Sequence, residues 1–379
     1  MNTRKSNHTW WEYFLYVGST CVFAFIGVVV VLIKLFDLLW RLLTWPLKRL
    51  FRFVVTLLFL GLLIAGALFY WYTRPVDLQG RTERIIIAKG DDLGTIATRL
   101  RNQGIIRARR ALIIPAEWIG LDRKLTPGRY DFSGTVSLLS VIHKLESADF
   151  VRVKITIYEG APIWKVAGAV ARSLEIDSLE VWKTLQDSAL IASLGLPYLE
   201  GHLYPSTYIV PWGTPPELVV REMVAAFRSV TDSLLSVADP SGLNRYDLLK
   251  LASIIQAETK LESEQPKVAS VYRNRLKLRM RLDADPTVIY GLGGLSRPLL
   301  RAELKTATPY NTYMRYGLPP TPINSPGLPA IRAAVRPDTT NYLFFVADGS
   351  GGHRFSRTND EHNAIRRELK RAQRLNKKI

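Results

Sequence analysis

Asp247–Thr259, DLLKLASIIQAET, reads as one strongly amphipathic helix. Leu248, Leu251, Ala252 and Ile255 fall on a single stripe at helical spacing. Glu258 follows Ile255 by three positions and Ile254 by four, so its carboxylate borders that stripe. A carboxylate held against apolar side chains is costly to desolvate, which raises its pKa. Kept protonated near neutral pH, such an acid can donate a proton to a leaving oxygen. From this helix alone two assignments stay open: a solvated acid near a helix end, or a proton donor at a site.

The chain on either side mixes helices with short strands. A second helix is expected from Ser263 as N-cap, with Glu264 and Pro266 in its first turn and Val268, Ala269, Val271, Tyr272 and Leu276 on its buried face. Asn274 and Arg275 sit among these apolar positions. Glu264 has two readings, a complement to the helix dipole or a site acid. Upstream, Val151–Ile157 alternates as VRVKITI, a half-buried strand, and Glu159-Gly160 follows. Arg84–Ala88 is β-branched, Gly90-Asp91-Asp92 is a turn, and Leu93, Ile96, Ala97 and Leu100 have helical spacing. This strand, turn and short helix resemble a LysM glycan-binding module, or equally a plain α/β packing unit. Residues 108–120 and Leu138–Leu145 also read as helices, and LTPGRYDF (125–132) as a turn and strand.

Downstream, MRLDADPTVIYGLG (280–293) sets Asp283 and Asp285 around a turn, with Tyr290 beyond. TPYNTYMRYGLPPTPINSPG (308–327) is Pro-rich and carries Tyr310, Asn311 and Tyr313. Aromatic rings beside Asn and Thr suit a sugar, which offers an apolar face and hydroxyls; a surface loop is the plainer alternative. Tyr342–Ala347 (YLFFVA) is expected to be a buried strand, and Asp348–Gly352 a Gly-rich turn leading to His353 and Phe355.

The N-terminal region differs in kind. Leu15–Ile33 and Phe53–Tyr72 are uncharged, and each would reach about 30 Å as a helix, enough to cross the hydrocarbon core. The connector between them, residues 34–52, carries five basic residues and one acid and is expected in the cytoplasm, with Trp40, Trp45, Trp71 and Tyr72 as interface anchors. Two crossings place the remainder of the chain outside; a single crossing at 53–72 gives the same location.

Composition narrows the field. The 379 residues hold 51 Lys and Arg against 33 Asp and Glu, a net charge of +18. That balance suits an anionic partner, yet +6 of it lies in residues 1–81 and no long block of like charge occurs, so nucleic-acid binding is not expected. The single Cys21 excludes an intramolecular disulfide and a Cys-rich zinc site. Five scattered histidines without H-E-x-x-H argue against a metalloenzyme. The absence of G-x-S-x-G, a P-loop and G-x-G-x-x-G argues against a serine hydrolase, an NTPase or a Rossmann enzyme. No cofactor is expected.

Seven ordered segments together resemble the endolytic murein transglycosylase (YceG-like) family. They are Tyr158-Glu159-Gly160, LEGHLYPSTY (199–208), LASIIQAET (251–259), KVASVYRNRL (267–276), MRLDADPTVIYGLG, PYNTY with GLPPTPI, and FFVADGSGGHRF (344–355). The resemblance covers roughly residues 84–363. It implies an α+β, membrane-anchored enzyme with a LysM-like part and a mixed α/β catalytic domain. The expected domains are an anchor at 1–81, a LysM-like subdomain at 82–150, a catalytic domain at 151–365 and a basic tail at 366–379.

The activity implied is cleavage of the β-1,4 bond between N-acetylmuramic acid and N-acetylglucosamine in nascent peptidoglycan strands. It leaves a 1,6-anhydro end and limits strand length, with links to the synthases of wall growth. An ordinary glycoside hydrolase and a non-catalytic glycan-binding scaffold are the rival readings. The family's catalytic acid, the last of its S-I-[IV]-E-x-E stretch, falls on Glu258, whereas its first acid is Gln256 here. Glu264 matches a second family acid. Tyr290, Tyr310, Asn311 and Tyr313 are the candidate sugar contacts, and Glu264, Asn274 and Asp285 are assigned to binding or orientation. Ser206 stands where the family usually has Asp, and the extra apolar segment at 15–33 departs from its usual single crossing.

Overall fold

A computed structural model of the chain describes residues 26–36 and 45–376. The helices at the N-terminal end are α1 (Ile26–Phe36) and α2 (Trp45–Thr73). There follow β1 (Val76–Ile87), α3 (Leu93–Asn102), α4 (Arg109–Trp118), β2 (Gly128–Val136), α5 (Leu138–Glu146) and β3 (Arg152–Thr156). Next come α6 (Ile163–Leu174), α7 (Ser178–Gln186), α8 (Ser188–Ser193), β4 (Thr207–Pro211), α9 (Pro216–Leu235), α10 (Arg245–Glu258) and α11 (Gln265–Lys277). The chain ends with α12 (Asp285–Gly291), α13 (Leu328–Val335), β5 (Phe344–Ala347), β6 (His353–Ser356) and α14 (Asn359–Asn376). The described strands form three two-stranded sheets, β1–β2, β3–β4 and β5–β6. This is a mixed α/β architecture with two-stranded ribbons, β3–β4 and β5–β6 antiparallel, rather than one central sheet.

Among the described residues, one helical stretch, Arg49–Thr73, is long and apolar enough to cross a membrane. Of the expected first span, residues 15–25 lie outside the described residues; 26–33 fall in the shorter apolar α1. Residues 37–44 of the expected connector, Trp40 among them, also lie outside. Residues 45–52 are already helical, opened by Pro46, whose fixed φ and missing N–H suit a first turn. The tail beyond residue 366 continues α14, and 377–379 lie outside the described residues.

The chain divides into two compact units. One comprises Met1–Arg81, Leu93–Asp122 and Ser133–Ile142; the other comprises Thr82–Asp92, Arg123–Phe132 and His143–Ile379. In the first unit α3 packs on α4, burying Leu93, Ile96, Ala97 and Leu100 with Leu112 and Ala116.

The second unit has two apolar clusters. One joins β3, β4, α6, α7 and the first half of α9 through Ile155, Val166, Val170, Tyr208, Val219 and Met223. In register, Ile155 faces Tyr208 and Val153 faces Val210 across the β3–β4 ribbon. The other cluster joins α10, α11, α13 and the second half of α9 through Phe227, Leu251, Ile254, Ile255, Val268, Tyr272 and Ile331. Each such side chain contributes roughly 1.5–3 kcal/mol on burial. Helix α9 therefore ties both clusters together.

Helix α10 is the central element of the second cluster. Asn244 caps it, its side chain accepting the N–H groups of Tyr246 and Asp247 at 2.9 and 3.0 Å. Beyond the expected stripe, Leu249, Ser253 and Ile254 are buried too, because α13 packs on α10 through the small residues Ala330, Ala333 and Ala334. Three expectations are corrected. The N-cap of α11 is Glu264, one residue after Ser263. Strand β1 runs from Val76 rather than Arg84 and pairs with β2. The YLFFVA strand starts at Phe344 and is half-buried, because a two-stranded ribbon covers only one of its faces.

Candidate active site

Glu258 is the last residue of α10, and Tyr272 lies two turns into α11. The short turn between these helices folds them back on each other, and the fully buried Tyr272 donates its hydroxyl to Glu258 Oε1 at 2.7 Å. Glu258 is partly accessible, but its carboxyl end sits among packed side chains. Burial is the largest influence and pushes its pKa up to about 7. The Tyr272 hydrogen bond opposes this, Asp285 adds a like charge that reinforces it, and His353 and Arg275 pull downward. A carboxyl poised near neutrality beside a glycosidic oxygen could serve as acid in one step and base in the next.

Asp285 opens α12 and accepts the Tyr313 hydroxyl at 2.6 Å. Burial and that contact raise the Tyr313 pKa, so the phenol stays a donor. Arg275 fastens the surrounding loops. It donates to the carbonyls of Leu343 and Leu282 at 2.7 and 2.8 Å and approaches Asp283 at 3.5 Å.

Glu264 meets the turn before β6. His353 donates its N–H to Glu264 Oε1 at 2.9 Å, and its Nδ1 lies 2.8 Å from Oε2. Asn274 gives both amide hydrogens to the carbonyls of Thr340 and Tyr342, at 2.8 and 3.0 Å. Asn311 is fully buried. It donates to the carbonyls of Leu304 and Thr306 and accepts the Tyr313 N–H. These three side chains hold the loops that carry Tyr310, Tyr313 and His353.

The structure adds a second buried acid that sequence reasoning did not single out. Glu200 is 5% exposed, and burial lifts its pKa to about 7. Its Oε2 accepts the Tyr290 hydroxyl at 2.7 Å and the Ile163 N–H at 3.1 Å; its Oε1 is buried without a partner. The Tyr290 ring lies between Trp164 and Tyr310, with centroids at 5.0 and 4.8 Å. All three rings are half-buried. Trp164 also lines an open cleft of about 510 Å³ with Tyr158, Glu159, Gly160, Lys165 and Arg172.

The two departures from the family pattern now have surroundings. Gln256 Oε1 accepts the Gly327 N–H at 2.8 Å, and Gln256 also hydrogen-bonds Glu159, whose pKa burial and Glu262 raise. A carboxylate at 256 would repel Glu159. Ser206 is exposed and gives its carbonyl to the Ile157 N–H at 2.9 Å, extending the β3–β4 ribbon. Among the described residues no group of three His, Cys, Asp or Glu side chains could hold a metal ion.

Residues 85–368, about three quarters of the chain, match the YceG-like family. The chain belongs to that family. Among YceG-like relatives, the endolytic murein transglycosylase of Bacillus subtilis (strain 168) is 31% identical over 325 residues, which cover 80% of this chain and 89% of that protein. The endolytic murein transglycosylase of Streptococcus pneumoniae (strain D39) is 27% identical over 349 residues, covering 82% of this chain but 63% of that protein. The chain therefore spans less than two thirds of the pneumococcal relative. The crystal structure of a YceG-like protein from Listeria monocytogenes superposes with a TM-score of 0.52 at 28% identity, covering 76% of this chain and all of that one.

Within the YceG-like fold, Glu200, Trp164 and the donor role of Tyr272 are the features the sequence did not announce. The signal for Glu200 was its place in LEGHLYPSTY, an acid inside an otherwise uncharged run. Trp164 gave none, since a Trp on an amphipathic helix reads as core.

Proposed function

We propose that this chain is an endolytic peptidoglycan lytic transglycosylase, anchored by α2, with Glu258 as its single acid–base group. The observation that carries this reading is the Glu258 carboxyl, lifted to about 7 by burial and hydrogen-bonded by Tyr272 in a chain of the YceG-like family. The names of the Bacillus and Streptococcus relatives supply the substrate class.

Protonated Glu258 donates to the oxygen linking N-acetylmuramic acid to N-acetylglucosamine as the C1–O bond breaks. Its carboxylate then takes the proton of the muramic acid 6-hydroxyl, which bonds to C1 of the same sugar. Atoms balance without water, and the ends are a free 4-hydroxyl and a 1,6-anhydro ring. General acid–base help contributes about 10²–10⁴-fold; positioning and ring distortion supply the rest. Asp285, Tyr290, Tyr310 and Tyr313 are assigned to substrate contact, with Trp164 extending the ring surface. Glu264, Asn274 and Asn311 hold the loops that present them.

Residues 82–150 form the LysM-like glycan-binding part, supported by the strand, turn and helix of β1 and α3 and by the β1–β2 pairing. The basic flank of α2 favours a catalytic domain outside the cytoplasmic membrane, where nascent strands and their synthases are its partners. The test is Glu258→Gln. The variant should fold and insert like the parent, yet release no anhydro-ended fragments from isolated sacculi when products are weighed by mass spectrometry. Undiminished anhydro product would remove Glu258 from the role. Products heavier by one water would instead identify a hydrolase.

A further inference from the structure

Away from this site, exposed apolar surface gathers on α4. Its inner face is Leu112 and Ala116. Arg110, Ile114 and Trp118 recur every four residues on the opposite face. Ile114 is 50% exposed and Trp118 is 86% exposed. So open an indole leaves most of a large apolar surface in water unless something covers it.

Two observations within the same unit say what covers it. Between Arg99 and Arg110 the chain carries five arginines and no acid. The Arg107 guanidinium, just before α4, lies 5.8 Å from the centroid of the Trp71 ring, over which Arg74 sits at 3.9 Å. Trp71 is at the C-terminal end of α2, where the apolar helix reaches the headgroup level. Helix α4 thus begins beside the bilayer surface, with basic groups leading and an apolar stripe behind.

We propose that the Arg110–Ile114–Trp118 face of α4 is a membrane-docking surface that lies in the leaflet where α2 emerges. Ile114 and Trp118 enter the headgroup–acyl boundary, and Arg107 and Arg110 meet the phosphates of anionic lipids. Docking holds the first unit flat on the bilayer instead of leaving it on a free stalk. The inference rests on α2 crossing that bilayer.

The experiment uses the full chain, with Cys21→Ser and Trp118→Cys, labelled at 118 with an environment-sensitive fluorophore. It is reconstituted in vesicles of phosphatidylcholine with and without phosphatidylglycerol. The label should be quenched by a lipid-borne nitroxide and shielded from aqueous iodide, by about three-fold or more in the vesicles containing phosphatidylglycerol. Arg107→Glu with Arg110→Glu should abolish that lipid dependence. A label open to iodide on protein that floats with the vesicles overturns the docking while leaving the anchor intact. Shielding that rises with protein density and ignores the lipid identifies a second copy as the occupant, which also overturns it. Protein that does not float overturns the anchor as well.

Discussion

Glu258 keeps its proton through a balance of named neighbours, and each neighbour gives a signed prediction. Activity that needs the protonated acid declines as pH rises through about 7. The Tyr272 hydroxyl favours the charged form, so Tyr272→Phe should raise the pKa and move that decline up by about one pH unit. Asp285 disfavours the charged form, so Asp285→Asn should move it down, and by less, because Asp285 is exposed and screened. The pH profile of kcat/KM on a defined glycan separates the two; shifts in the same direction would overturn the electrostatic account. Glu200 offers a stability test. Its folded pKa is raised to about 7 from the usual 4.5, so its contribution is fully present below pH 4.5 and is lost as pH rises through 7. Glu200→Gln should therefore be more stable than the parent at pH 8, by roughly 1–3 kcal/mol, and melt higher, with the gain gone near pH 4. A thermal melt series from pH 4 to 8 reads this directly. At this scale the place of Glu258 beside the apolar stripe of α10 was legible, because it follows from helical spacing. Glu200 was not, because its partner Tyr290 lies 90 residues away and only the fold brings them together.

The site is also a problem of joining elements that the chain keeps apart. Helix α11 does much of that work through three consecutive polar residues near its C-terminal end. Arg273 donates to the Ala334 carbonyl at 2.9 Å, to Ser241 at 2.8 Å and to Asp239, while Asn274 and Arg275 hold the strand and loop segments beyond α13. In sequence Asn274 and Arg275 looked like polar interruptions of a buried stripe; the partners just named, 32 to 68 residues distant, explain why the stripe is interrupted. Helices with clean periodicity, such as α3, α5 and α10, were legible within a few residues. The start of β1 and the burial of β5 were not, because both depend on which strand pairs alongside. Close approach supplies the prediction here. Gly201 has φ +83°, and a Cβ there would lie 2.6 Å from Pro322 of the Pro-rich loop. Gly213 has φ +81° with nothing within 4 Å. Gly213→Ala should cost about 1 kcal/mol from backbone strain alone, and Gly201→Ala about 2–4 kcal/mol from strain plus the clash. Urea midpoints of the two variants measure the difference; equal midpoints would show that the loop yields freely.

For the whole molecule the governing asymmetry is charge about the one long apolar helix among the described residues. Lys48, Arg49 and Arg52 sit at its N-terminal end, and the segment before it adds Lys34 and Arg41 against Asp37 alone. Beyond it, Arg74 and Arg81 flank Asp77, a weaker excess. Short basic flanks are retained on the cytoplasmic side, so α2 should run outward and deliver everything after Thr73 to the side where glycan strands are made. On the proposed reading, the net charge of +18 would meet an anionic wall, which attracts the protein without specifying a cut; specificity would rest with the ring surfaces and Glu258. A cysteine placed by Ser296→Cys, in a Cys21→Ser background, reports the orientation, because Ser296 is exposed in the loop after α12. In intact wall-stripped cells a membrane-impermeant maleimide should label that position fully before lysis. Labelling that waits for lysis would place the acid on the wrong side of the membrane from any polymer it could cut. The transglycosylase reading would then fall, however well Glu258 is poised.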